Sequence, residues 1–336
     1  METSLRAFRD GYLETLLRFL WREWTALGVA GQERAVIRHA VDPEALLLFT
    51  CSLGRYDPRL FDEVMDWLRR NGRFLNIQRM RNILRREAFC GGEVLSAVAD
   101  WLSQRDVPAK WTLLAKRQAP KDTHQALFYL PDGRPLPEST ERDPTFLNHG
   151  FVRGPISLRG YSQAFPADAT PCLVLKTRAL FGVNARCDVL TYLAMNGAGH
   201  PREVARELYY SQKAIHDVMT DMARSGVVHS SRGARERTFR IAAGALPFLA
   251  GEEETPRWIN WPVLLSTAET VWHKADELHG AKLDPLLESS EIALTLNPLL
   301  DRLTRARWAP ALPATHPQNA LAQLEAFQAA FETVPS

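Results

Sequence analysis

From residue 184 to 241 the apolar side chains keep a helical period through three segments and then switch to the two-residue period of extended chain. No other feature restricts the fold as much. Cys187, Leu190, Leu193 and Ala194 share one face of a first helix, with Asn184 placed to accept hydrogen bonds at its N-terminus. Asn196-Gly197 stops it. His200-Pro201 opens a second helix, PREVARELYY, which turns Val204, Ala205 and Leu208 inward. Ser211 caps a third, SQKAIHDVMTDMARSG, whose Ile215, Val218, Met219 and Met222 recur at helical spacing. Gly226 ends it, as a residue tolerant of left-handed backbone should. Val227-Val228-His229 and Thr238-Phe239-Arg240-Ile241 then form two strands joined by the arginine-rich SSRGARER.

The run ARSGVVHSSRGARERTFRI after a capped helix resembles the MarR- and ArsR-like winged helix-turn-helix transcription regulators, over about residues 184–241. The resemblance implies that the third helix enters the major groove, with Ser211, Gln212, Lys213, His216 and Thr220 at base edges. It also implies a wing whose Arg232, Arg235 and Arg237 lie along phosphates or in the minor groove. Asp217 departs from this pattern, because a carboxylate repels phosphate unless it accepts from a cytosine amine or pairs with Lys213. The implied function is a DNA-binding transcriptional regulator of duplex DNA, acting as a homodimer on sites with half-sites ~34 Å apart. The charge agrees, with 8 Lys/Arg against 5 Asp/Glu over residues 201–241.

The expected fold class is mostly α with minor β. The boundaries are 1–54 for an N-terminal helical segment, 55–135 for a diverged second winged helix, 136–175 for an irregular linker, 176–245 for the DNA-binding domain and 255–336 for an acidic helical region. The second copy rests on EVMDWLRRNG matching DVLTYLAMNG in apolar positions and on EVLSAVADWLSQRDV matching KAIHDVMTDMARSGV, with WTLLA and QALFYL as its wing strands. Residues 55–86 carry 9 Arg against 4 Asp/Glu, including Arg79, Arg81, Arg85 and Arg86, and so form a basic face. Leu5, Phe8, Tyr12, Leu16, Leu20, Trp24 and Leu27 mark a long first helix, and Asp42-Pro43 and Asp57-Pro58 open two more. The last helices span 258–278, 285–308 and 320–334. The Trp-rich terminal helices are the expected dimer surface, because apolar helices beyond a small domain need something to pack against.

The charge is uneven: residues 252–336 hold 6 Lys/Arg against 12 Asp/Glu although the whole chain is at +2, so a polyanion is drawn to what precedes them. No apolar run approaches the ~20 residues of a membrane span. The four cysteines form no CxxC pair, so a reducing cytoplasm is expected, with neither a disulfide framework nor a metal site. No Walker loop, Rossmann glycine set or nucleophile elbow is present, and neither a cofactor nor an enzyme activity is expected. Two alternatives remain. An antitoxin-like partner of a neighbouring enzyme would use the acidic C-terminal helices as its contact. A HEPN-like ribonuclease would use Arg34 and His39, spaced R-x4-H in helical surroundings.

Overall fold

The computed structural model describes residues 4–31, 37–105, 109–115, 123–137, 140–232, 237–246, 256–281, 283–308, 310–313, 316 and 319–334. The chain is mostly helical, with 64% helix and 6% strand. In order, the elements are α1 (Leu5–Ala26), α2 (Pro43–Leu53), α3 (Pro58–Asn71), α4 (Ile77–Glu87), α5 (Gly92–Ser103), β1 (Gln125–Ala126), α6 (Pro144–Asn148) and β2 (Phe151–Val152). They continue through α7 (Leu173–Phe181), α8 (Ala185–Asn196), α9 (Pro201–Leu208), α10 (Gln212–Arg224), β3 (Val228–Arg232), β4 (Arg237–Ile241), α11 (Trp261–Ala281), α12 (Pro285–Arg305) and α13 (Ala320–Glu332). No described helix is long and apolar enough to cross a membrane.

The helix starts follow the local chemistry of the sequence. Asp42 and Asp57 each accept from backbone N–H groups of the first turn, with proline next in the chain. Leu5, Phe8, Tyr12, Leu16, Leu20 and Trp24 are all buried on one side of α1.

Buried apolar residues fall into two clusters. The larger joins α1–α5 to α11–α13, so the first and last segments of the chain share one core. Trp261 and Trp272 are buried in it, Phe19 lies 5.9 Å from Trp261, and Phe331 of α13 lies 5.0 Å from Phe19. Trp261 and Trp272 are therefore corrected as dimer-surface residues, since both rings are packed in this core. Outside it, α12 leaves Leu286, Leu287 and Leu294 exposed.

The expected second winged helix is corrected at its wing. Its three helices are present as α3, α4 and α5, but WTLLA lies in a 3₁₀ turn over Ala109–Leu113. Gln125–Ala126 pairs in parallel with Phe151–Val152 and not with WTLLA. Trp111 is wholly buried, and a Cβ placed on Gly72 would stand 3.2 Å from its ring. The apolar run there serves as a plug for the core. The linker of 136–175 is tied down as well. Arg153 pairs with Asp62 at 2.8 and 3.1 Å, and the Ser162 amide donates to Asp66 at 3.0 Å.

The smaller cluster holds Val189, Leu190, Tyr192 and Leu193 of α8, Val204, Ala205 and Leu208 of α9, Ile215, Met219 and Met222 of α10, and Val228 and Phe239 of the β3–β4 hairpin. The chain between α8 and α9 is stitched to the hairpin by two bonds, Gly199 N–H to Phe239 O at 2.9 Å and Phe239 N–H to Gly199 O at 3.0 Å. Gly199 is required there for space. A Cβ would stand 2.6 Å from Val204 Cγ2 and 3.0 Å from Tyr192 Cε1. We expect Gly199→Ala to lower stability by about 1–3 kcal/mol in urea titration, the cost of overpacking a close-packed site. An unchanged midpoint would mean that the bridge does not approach this closely.

Candidate nucleic-acid interface

Each helix of the 184–241 unit starts where its cap predicts. Asn184 accepts from Arg186 N–H, His200 Nδ1 from Arg202 N–H, and Ser211 Oγ from Ala214 N–H. The second helix is shorter than its sequence pattern. It ends at Leu208, because Tyr209 turns into the left-handed region at φ 65°. That conformation costs a non-glycine residue about 1–2 kcal/mol. Tyr209 is held there by burial and by hydrogen bonds from its hydroxyl to Glu87 at 2.9 Å and Asn260 at 3.3 Å. The chain then reaches Ser211 within two residues, so α9 and α10 are joined by a tight turn.

On α10 the inner face is buried and the outer face is polar. Ser211, Gln212, Lys213 and His216 are all exposed at its N-terminal end, and the Lys213 side chain keeps 86% of its accessible surface. Lys213 Nζ donates to Asp217 at 2.7 Å, and that pairing raises the lysine pKa and lowers that of Asp217. An exposed i,i+4 pair of this kind holds its geometry weakly and yields to a competing anion. Thr220 is placed differently. It is half-buried, and its hydroxyl is shielded from water with no hydrogen-bond partner among the described residues. Its expected place at a base edge is corrected on that ground.

The hairpin runs antiparallel, with Val228 opposite Ile241, His229 opposite Arg240 and Arg232 opposite Arg237. Ser231 and Thr238 hydroxyls bond across it at 2.9 Å. Arg237 is exposed; its guanidinium donates to Ser230 Oγ at 2.9 Å and lies 5.0 Å from the Phe239 ring centre. The side chain of Arg232 and the whole of Arg235 lie outside the described residues.

Several exposed side chains around this unit, arginines among them, were not singled out from the sequence. His229 and Arg240 form an exposed cross-strand pair, and Arg202, Arg206 and Arg224 are exposed around α9 and α10. The α4 helix packs against the α9–α10 turn: Asn82 donates to Tyr209 O at 2.9 Å, and Arg86 lies 4.6 Å over the Tyr209 ring. Arg86, and Arg85 through its bond to Asn82, therefore extend the basic character of the turn, and Arg81 is exposed on the same helix. Periodicity alone would have placed these three on one side of α4, but not beside α10. Arg79, counted with them on charge, is buried instead, which corrects its place on a basic face.

Arg79 belongs to a buried ionic cluster that mounts the unit on the larger core. It bonds Asp42 and Glu44 of the α2 N-terminus, with 2.9 Å to Asp42 Oδ1 and 2.6 Å to Glu44 Oε2. Arg178 of α7 bridges Glu44 at 3.0 Å and Asp188 of α8 at 2.9 and 3.1 Å. The Tyr210 hydroxyl, in the α9–α10 turn, donates to Asp188 at 2.6 Å. On the far side, Arg307 donates to Tyr192 at 3.1 Å, to Glu203 at 2.8 Å and to Asn196.

The nuclease alternative does not find its histidine. His39 is fully buried outside any helix, with Nε2 2.9 Å from Glu23 and its ring 4.7 Å from Trp261. A base sealed from substrate performs no acid–base step, and Arg34 lies outside the described residues. Comparison with family models, with curated proteins and with solved structures returns no match for this chain.

Proposed function

We propose that residues 176–245 are a winged helix-turn-helix that binds duplex DNA, and that the protein regulates transcription through it. In this reading α9 and α10 are the helix-turn-helix pair, α10 enters the major groove and the β3–β4 hairpin is the wing. One observation carries the reading: α10 keeps an exposed polar face at its N-terminal end, while its Ile215, Met219 and Met222 pack in one cluster with Val228 and Phe239 of the hairpin that carries Arg237 and Arg240. Gln212, Lys213 and His216 then face base edges. Arg237, together with Arg232 and Arg235 of the same hairpin, neutralises phosphates. The Arg81, Arg85 and Arg86 side of α4 lengthens the backbone contact. Asp217 holds Lys213 until a phosphate replaces the carboxylate on the ammonium, or a cytosine amine replaces the ammonium on the carboxylate.

The test is selection of binding sites from a randomised duplex pool with the full chain, followed by anisotropy titration of the enriched duplex at several salt concentrations. Log affinity should fall linearly with log salt, with a slope near −0.9 for each phosphate neutralised. Lys213→Ala and Arg237→Ala should each weaken binding and flatten that slope, by about one unit where the contact is to phosphate. Lys274→Ala, a control on α11, should change neither. No enrichment, or slopes untouched by both substitutions, would overturn the assignment.

A further inference from the structure

Cys90, Glu269 and His273 each offer a ligand atom within 4.8 Å of the others. Cys90 stands in the turn between α4 and α5. Glu269 and His273 are four residues apart on α11 and so lie on one helical face. The turn reaches this position because Gly91 packs directly on the backbone of α2. A Cβ there would stand 2.8 Å from the Cys51 carbonyl carbon and 2.9 Å from Ser52 N. The Glu269 carboxylate is buried and accepts from the Cys90 amide at 3.1 and 3.3 Å, while Ser52 Oγ is 3.1 Å from His273 Nε2.

We propose that this cluster is a zinc site, with Cys90 Sγ, a Glu269 carboxylate oxygen and a ring nitrogen of His273 as ligands and water in the fourth position. A thiolate with an imidazole selects zinc over magnesium or calcium, which prefer all-oxygen sets. Zinc bonds of about 2.0–2.3 Å place tetrahedral ligand atoms roughly 3.3–3.6 Å apart, so side-chain rotations drawing the present group together by about 1 Å complete the geometry. Binding takes up the Cys90 thiolate, whose proton leaves to solvent, and no electron changes hands. The charges also balance: one thiolate and one carboxylate neutralise the dication. Glu269, whose partners named above are neutral groups, thereby gains a cation beside its buried charge. A metal held this way clamps the α4–α5 turn to α11, far in sequence from the proposed DNA module and independent of it.

The experiment uses untagged full-length protein, stripped with chelator and titrated with cobalt(II) and then zinc. One equivalent of cobalt should give tetrahedral visible bands and a near-ultraviolet thiolate charge-transfer band, both bleached by zinc. Cys90→Ser should abolish the charge-transfer band, and His273→Ala should weaken zinc affinity by at least about tenfold. Cys51→Ala, Cys172→Ala and Cys187→Ala should leave the band in place. Because Cys90 and His273 are exposed, far-ultraviolet dichroism of their variants should match the wild type; were one variant to unfold, the other decides. Absence of a thiolate band, or a band that survives Cys90→Ser, overturns the site.

Discussion

Arg178→Ala should destabilise the protein by about 3–5 kcal/mol, the usual result of removing one member of a buried ion pair and leaving its partner charged. Arg178 is wholly buried and donates to Glu44, to Asp188 and to the Phe74 carbonyl at 3.1 Å. Without it, Glu44 keeps its ion pair with Arg79, whereas Asp188 keeps the neutral Tyr210 hydroxyl as its side-chain hydrogen-bond partner among the described residues. The damage therefore concentrates on α8. Adding Asp188→Asn removes the stranded charge and should recover part of the loss. Arg178→Lys cannot span both carboxylates with a planar fork and should fall between the two. Urea midpoints at constant slope measure this; a loss below about 1 kcal/mol would mean that water already solvates the cluster. The same cluster sets an acid limit. Burial alone would raise Asp42, but Arg79 and the Ala45 amide outweigh it and hold its pKa below 3.8. A carboxyl depressed by folding stabilises the native state above its unfolded pKa, and that contribution is lost as pH falls through the folded value.

What the sequence made legible is what local chemistry decides. Asn184, His200 and Ser211 cap their helices because a side-chain acceptor sits beside orphan amides, and no distant residue is needed for that. The hairpin is legible from alternation at Val228-His229 and over residues 238–241, although its strands extend through Arg232 and from Arg237 into what reads as the connection. Where distant contacts decide, the sequence was misleading. Helical propensity carries PREVARELYY through Tyr210, and contacts from distant residues, Glu87 and Asn260 on the Tyr209 hydroxyl and Asn82 on its carbonyl, explain the break at Leu208. The apolar WTLLA reads as a wing strand, and the burial of Trp111 against Gly72 makes it a plug instead. Charge counting places Arg79 with Arg81, Arg85 and Arg86, although Asp42 and Glu44 draw it inside. Cys90 and Glu269 are 179 residues apart, so no spacing rule joins them. The one signal in the sequence is the four-residue spacing of Glu269 and His273 on a single helix, which was not singled out.

Phe239→Ala should cost about 3–5 kcal/mol locally, as expected for emptying an aromatic core site. The ring is fully buried in the smaller cluster, and the backbone of the same residue makes both bonds to Gly199. One side chain thus holds the hairpin against α8 and α10 and also supports the Arg237 guanidinium that stacks on it. Because the two apolar clusters are separate, the loss should appear as local opening rather than global unfolding. Hydrogen exchange resolves this. Amides of β3, β4 and Gly199 should lose protection, whereas those of α1, α2 and α11 should keep theirs. Phe239→Leu retains most of the apolar volume and should open the hairpin distinctly less. If protection instead fell evenly across both clusters, the hairpin unit and the larger core would be one cooperative body, and α10 could not be displaced from its mount without unfolding the whole.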